Sequence, residues 1–573
     1  MSVWSSEISP DRRSARLQIL MVFVLIGFLV ITGRLINIQI VHHDFYSNEA
    51  RSQHTTRINV EARRGRILDR NGYLLAGNRA VVTFQVYWPE VPAGAESRVD
   101  SLVSVLGEHT RAGLRQPLER QSGNQIIAEN VPFQEAFSLM NDGLPTGVSA
   151  NVEQERTYPM GDIASGIVGR HTREGAEGIE SWFNSTLQGT DGKLFIEKSA
   201  AGRFNLTDPE ADNISVVDGQ DIMLTLDSRF QSIVMEELEN AMEMYNSDWA
   251  AAVVIDPSSG EILAAGSVPV RAGNGYLAMN HCFQGYHEPG STFKLVVYAA
   301  CIEEGVIAAG DVFDCSEGRI TVSGENISDA HKFGILTGEQ VIINSSNVGT
   351  ILLSRLLADT TLSSYCRRFG FGSLTMVEYP GESRGIVPSP GSSGWSGVSA
   401  AQIAIGQEVT VTPLQLTLAY CVIANGGTLF YPRLLDARWS ENQWVTEESI
   451  VRSHPVSRGT AATVRSALRS VIEEGTGASA SVAGVSVAGK TGTAERLSGE
   501  SDYLSAFVGM VPAENPSLVI SVLIDDPDFE YRWGSASAAP VFSEIVTRIL
   551  AVEPELALGR QFSGSDLMAG VLE

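Results

Sequence analysis

Three short segments of this 573-residue chain carry the residue types of acyl transfer. The chain has only five lysines, and two of them fall inside these segments. Lys294 closes the only Ser-x-x-Lys, Ser291-Thr292-Phe293-Lys294, and Lys490 opens the only Lys-Thr-Gly, Lys490-Thr491-Gly492. Ser345-Ser346-Asn347 lies between them in sequence. A hydroxyl becomes a strong nucleophile only when a base takes its proton, and a neutral lysine amine can do so without histidine.

Pro289-Gly290 followed by the apolar run Leu295 to Ala300 predicts that Ser291 opens a buried helix. Ser291 would then lie where backbone N–H groups are unpaired and the helix dipole favours negative charge. Lys294 would follow one turn later over the same face, with its pKa lowered by burial. Ser291 is the expected nucleophile and Lys294 the expected base. Ser-x-Asn also begins at Ser122, Ser149 and Ser440, so only chain position favours Ser345, at an apolar turn between helical runs. Its hydroxyl would relay a proton to the leaving amine, and Asn347 would hold a substrate amide. Val485 to Ala494 reads as a strand with small residues where a substrate must come close. Lys490 with the Thr491 and Thr493 hydroxyls would bind a carboxylate there, with Gly492 leaving room. The N–H groups of Ser291 and Thr493 are the natural oxyanion pair, each donor being worth about 3 kcal/mol in the transition state.

These segments need a scaffold, and 573 residues are too many for one core. Leu17 to Gly33 is apolar and uncharged, and the apolar character resumes beyond Arg34 as Leu35 to Val41. That is long enough to span a bilayer if Arg34 snorkels. Arg12, Arg13 and Arg16 precede it, which places the N-terminus in the cytoplasm and the remainder outside. No small-x-small cleavage site follows directly, so an uncleaved signal anchor is expected rather than a cleaved signal peptide. Asn71-Gly72 between apolar runs predicts a hairpin, for which a plain structural role suffices. Residues 90 to 215 mix short helices and strands without catalytic constellations, and a helix is expected to run from Glu177 towards Gly189.

A further domain opens near Asp221: a strand at Ile222–Leu226, a helix at Arg229–Met244, then a hairpin of Ala251–Asp256 and Glu261–Gly266. A closing helix is expected over Pro540–Leu550. The expected organisation is a cytoplasmic tail (1–16), a transmembrane anchor (17–41), a β-rich pedestal (42–220), an α+β catalytic domain (221–552) and a loose tail (553–573). Net charge is −26, which repels nucleic acid. Cys282, Cys301, Cys315, Cys366 and Cys421 show no C-x-x-C and read as buried thiols, and no histidine spacing suggests a metal. No cofactor is expected.

With these motifs in place, the chain resembles a class B penicillin-binding protein, a membrane-anchored peptidoglycan D,D-transpeptidase. The likeness runs from the anchor to about Leu550. It includes Arg64-Gly65 to Asn71-Gly72, Glu288-Pro289-Gly290, Ile405-Gly406-Gln407-Glu408, Thr410 to Leu416, and Ile423 to Gly427. The resemblance implies a transpeptidase domain of the serine β-lactamase-like fold, with Ser291, Lys294, Ser345, Asn347, Lys490 and Thr491 in its active site. It implies stem peptides ending in D-Ala-D-Ala as substrate, β-lactams as acylating inhibitors, and a pedestal that contacts partners. Gln407 to Pro413 resembles the division or sporulation branch. Glycan polymerisation would fall to a SEDS-family polymerase among divisome membrane proteins. The sequence departs from the family at Pro269 to Asn274 and at His281-Cys282. A β-lactamase would share the trio but not the anchor and pedestal. A penicilloyl sensor would need a cytoplasmic output domain, and a catalytically silent division scaffold is the remaining alternative.

Overall fold

The computed structural model describes residues 10–46, 55–111, 123–172, 175–198, 204–205, 214–273, 277–308, 310–495 and 503–559. Residues 1–9 of the expected N-terminal tail, Asn274 and residues 560–573 of the expected C-terminal tail lie outside them. The chain forms two compact units. One comprises residues up to 62 together with 189–218. In it, the helix Pro10–Ile36 continues as a π-helical turn, Asn37–Val41, and Ser14–Val41 is long and apolar enough to cross a membrane. The strand Thr55–Val60 pairs antiparallel with Gly192–Lys198.

The other unit comprises residues 63–188 and 219–573. Its centre is a five-stranded antiparallel sheet in the order Glu261–Val268, Trp249–Asp256, Leu518–Asp525, Tyr503–Val511, Ala488–Glu495. Trp249–Asp256 and Leu518–Asp525 are almost continuously apolar because both faces of the sheet are covered. Ala251, Val253 and Ile255 join one core with Val296, Leu416 and Ala419. Ala250, Ala252 and Val254 alternate into a second core with Leu238, Phe542 and Ile545. The helices Ser228–Tyr245 and Ala538–Val552 cover that second face, as the expected helices at 229–244 and 540–550 required.

The helix Pro413–Ala424 is buried along its whole length. Thr412 and Gln415 form a reciprocal capping box at its start, and Pro413 fills the first turn, where no N–H is needed. All five cysteines are free and buried. Cys282 Sγ sits 3.1 Å from the Gly266 carbonyl, and His281 stacks on Trp249 at 3.9 Å, so the departures at 281–282 are absorbed locally.

The Asn71-Gly72 turn joins Ile67–Leu68 to the long strand Leu74–Tyr87, as expected. It does more than reverse the chain. Asp69 accepts from the N–H groups of Asn71 and Tyr73, both at 2.8 Å, and from the Ser228 hydroxyl at 2.7 Å. Asn71 Nδ2 donates to Asp227, the residue capping Ser228–Tyr245, at 3.0 Å. The turn therefore seats the first helix of the catalytic region, while Ile67–Leu68 pairs in parallel with Ile222–Leu224. Further out, Leu74–Tyr87 lies between Asn124–Pro132 and Val148–Thr157, and the helices Glu96–Leu106 and Phe133–Asn141 complete a small core around Phe84 and Trp88.

The helix expected from Glu177 is two short ones, Gly178–Trp182 and Asn184–Leu187. The first carries Glu180, fully buried, whose carboxylate takes Arg64 Nε at 2.6 Å and Arg156 Nε at 2.7 Å. Both guanidinium groups are themselves nearly buried. Removing one member of such a cluster leaves uncompensated buried charge. Glu180→Ala is expected to lower the unfolding free energy by about 3–5 kcal/mol, measured by denaturant titration of the detergent-solubilised full chain.

Candidate active site

Ser291 lies in a 3-10 turn, Gly290–Phe293, and the α-helix proper begins at Lys294. The helix expected from Ser291 thus starts three residues later, after a tighter turn. Thr292 pins this turn: its hydroxyl donates to the Pro289 carbonyl at 2.6 Å, and its own carbonyl accepts from buried Tyr420 at 2.9 Å. Gly290 has φ +53°, and a Cβ there would stand 2.8 Å from the Thr493 carbonyl oxygen. Only glycine allows both this backbone and this approach. The serine turn and the Lys490–Thr493 strand are consequently packed backbone to backbone. The Gly290 N–H donates to the Gly406 carbonyl at 3.0 Å, and the Glu408 N–H donates to Glu288 at 2.9 Å. The Glu288 and Ile405–Glu408 segments thus form the floor under the serine. Burial raises the Glu288 pKa, and the Glu408 N–H bond partly offsets this.

Lys294 is fully buried. Its Nζ donates to the Ser345 carbonyl at 2.6 Å and to Asn347 Oδ1 at 2.7 Å, and it lies 3.4 Å from Ser345 Oγ. A neutral amine has two N–H bonds and one lone pair. In its neutral form Lys294 meets both short contacts with its two N–H groups and has a lone pair with which to accept a proton. Burial foremost, then the positive charge of Lys490, pushes the Lys294 pKa well down, and Asp329 partly offsets this. Lys490 is also buried, and desolvation brings its pKa down to about 7. Both amines thus lose a proton more readily than a free lysine, and the charge of Lys490 adds to the effect at Lys294.

Each sequence-predicted residue has a definite place. Ser345 is left-handed, φ +57°, in the turn before the helix Asn347–Ser354. Asn347 Nδ2 donates to the Ser328 carbonyl at 2.9 Å, so both ends of its amide are held by the protein. Lys490, Thr491, Gly492 and Thr493 lie on the edge strand Ala488–Glu495, which the sequence reading started three residues early. The Thr491 hydroxyl meets Thr476 at 3.1 Å, and Thr493 Oγ1 accepts from the Gly534 N–H at 3.2 Å. Among the described residues no protein group hydrogen-bonds the Ser291 hydroxyl, which is partly exposed beside this strand.

Asp329 escaped the sequence reading. Its carboxylate accepts from Ser346 Oγ at 2.7 Å, from Val348 N at 3.1 Å and from Asn347 N. It caps the Asn347–Ser354 helix from a distant loop and so fixes the atoms that hold Lys294. Nothing local distinguishes Asp329 in sequence, since its partners are some twenty residues away.

Residues 250–547 match the penicillin binding protein transpeptidase domain, and residues 59–224 match the penicillin-binding protein dimerisation domain. Stage V sporulation protein D of Bacillus subtilis is 31% identical over 570 residues, 95% of this chain and 86% of that one. Peptidoglycan D,D-transpeptidase FtsI of Escherichia coli is 29% identical over 559 residues, 93% and 91% of the two chains. The crystal structure of penicillin binding protein 3 from Mycobacterium tuberculosis in complex with aztreonam superposes with a TM-score of 0.66 at 28% identity, covering 88% of this chain and all of that one.

Asp329→Ala leaves three donors without their acceptor. It is expected to cost about 1–3 kcal/mol of stability and to accelerate amide hydrogen exchange at Asn347 and Val348. Unchanged exchange at those amides would remove Asp329 from its holding role.

Proposed function

The chain belongs to the class B penicillin-binding proteins, in the branch that serves division and sporulation, and we propose that it is a peptidoglycan D,D-transpeptidase of septal wall synthesis. The observation that carries this reading is the fully buried Lys294 amine, three residues after Ser291 and held by the Ser345 carbonyl and Asn347 Oδ1. Ser291 Oγ attacks the carbonyl of the penultimate D-Ala of a stem peptide, and its proton passes to Lys294. The oxyanion takes hydrogen bonds from the Ser291 and Thr493 N–H groups, while the substrate carboxylate faces Lys490, Thr491 and Thr493, with Gly492 admitting it. Collapse breaks the amide bond, and the proton returns through Ser345 to the departing D-Ala amine, with Asn347 orienting the peptide. An acceptor amine then attacks the ester, releases Ser291 and leaves a cross-link. β-Lactams acylate the same serine. The relative crystallised with aztreonam supports that partner class.

The Ser14–Val41 helix supports a single-pass anchor in the inner membrane, in this reading with residues 1–16 cytoplasmic, 17–41 in the membrane and the rest extracytoplasmic. In this reading residues 42–220 are a pedestal and residues 221–552 the transpeptidase domain. A SEDS-family polymerase and divisome membrane proteins would meet the anchor and pedestal.

Intact mass after incubation with a fluorescent penicillin should show one adduct, absent in Ser291→Ala. In Lys294→Ala the acylation should slow about 10²–10⁴-fold. The second-order acylation rate reports the free protein. It should fall in acid as Lys294 protonates, and fall again above the Lys490 pKa of about 7 as the carboxylate loses its cation. Lys490→Arg, permanently charged, should abolish the alkaline limb. Rapid release of hydrolysed drug would instead indicate a β-lactamase, and a folded protein with no adduct would indicate a scaffold.

A further inference from the structure

A second polar pocket forms where the helix Ser228–Tyr245 ends and the strand Leu518–Asp525 leaves the central sheet. Its volume is about 370 Å³. One segment, Asn246, Ser247 and Asp248, and a second, with Asp526 and Asp528, supply its polar walls. None of these residues belongs to the three motifs, and among the described residues no basic side chain lines the pocket.

The backbone around it is fixed. The Asp248 N–H donates to the Asp525 carbonyl at 3.0 Å, and the Asp528 N–H donates to the Tyr245 carbonyl at 2.9 Å. The Asp526 N–H reaches the Tyr503 carbonyl at 2.8 Å. Asn246 and Asp526 are left-handed, at φ +50° and +46°, a region these two residue types tolerate better than most.

Acidic residues alone would be a solvated surface, but a buried hydroxyl sits among these. Ser247 is 9% exposed, and its Oγ is enclosed with no hydrogen-bond partner among the described residues. A buried hydroxyl left unpaired is costly, which calls for something to complete it. Asn246 Nδ2 donates to Asp528 Oδ1 at 3.2 Å, which leaves Asn246 Oδ1 and Asp528 Oδ2 as further oxygen ligands. The carboxyl end of the 18-residue helix adds the negative pole of its dipole, which favours a cation.

We propose that this pocket is a structural site for a hydrated calcium ion, held by Ser247 Oγ, Asn246 Oδ1 and the carboxylates of Asp248 and Asp528. All are hard oxygen ligands, the set that suits calcium rather than zinc or copper. Among the described residues no three acidic side chains converge into a tight cage, so water completes the shell, and the pocket has room for it. Calcium accepts such irregular geometry, whereas magnesium demands a near-regular octahedron. The ion would tie the end of the helix to the exit of the strand. Through the turn Phe529–Tyr531 the same backbone runs on to Gly534, whose N–H meets Thr493 Oγ1 at 3.2 Å.

The test is equilibrium dialysis of the full chain, in non-ionic detergent at about 0.15 M salt, against radioactive calcium chloride. One ion per chain is expected, with a Kd on the order of 10⁻⁴–10⁻³ M, the range of loosely built extracellular sites. Asp528→Asn keeps the shape and removes a charge, and it should weaken binding about tenfold or more; Ser247→Ala should weaken it severalfold. Absence of binding overturns the site, as does binding that both substitutions leave unchanged, the result for diffuse association with an acidic surface. Equal displacement by magnesium overturns calcium as the ligand. If circular dichroism shows Asp528→Asn unfolded, Ser247→Ala and Asp248→Asn decide, and unchanged affinity in both overturns the proposal.

Discussion

Two buried amines set the terms for everything around them. A charged lysine removed from water is expensive, and two that sense each other cannot both keep a proton near neutrality. Burial lowers the pKa of both, and the positive charge of Lys490 lowers that of Lys294 further. Lys294 Nζ meets the Ser345 carbonyl and Asn347 Oδ1, and among the described residues Lys490 Nζ meets the Thr491 carbonyl at 3.3 Å. In the proposed mechanism one residue type supplies both a base and a cation. No histidine lies within this arrangement, and none is needed.

Holding the two amines in place requires rigidity on three sides. Asp329 ties down the turn that holds Lys294, the Gly290 turn is packed against the edge strand, and Tyr420 from a wholly buried helix fixes the carbonyl of Thr292. Each contact joins segments far apart in sequence. The reacting groups are few, but their positions depend on the whole sheet and both of its helical layers. Polar groups buried this deeply would be liabilities anywhere their partners were less well fixed.

What could be read from sequence follows the range of the interactions. The lysine motifs, the sheet hairpin at 251–266, the Asn71-Gly72 turn and the apolar helix after Ser291 all declare themselves within a few residues. The 3-10 form of the Ser291 turn did not, because it depends on the packing of Gly290 against Thr493. Asp329 and the Arg64–Glu180–Arg156 cluster were equally hidden. Their meaning arises from partners brought together by the fold, and a single acidic or basic residue in a loop has no local signature. The same holds for Asp69, whose turn was legible although its bond to Ser228 was not.

The order of strands in the sheet has a kinetic side. Trp249–Asp256 is flanked by its hairpin partner and by Leu518–Asp525, with Ala251 opposite Leu523 and Val254 opposite Ile520. More than 260 residues are synthesised between these neighbours. Until they arrive, an apolar strand stands with one edge unpaired, which is a template for wrong association. Pairing over such separations is slow because a long loop must close first. A nascent chain of this design spends much of its synthesis unable to finish its central sheet, so its yield is governed by what shields that edge during the wait.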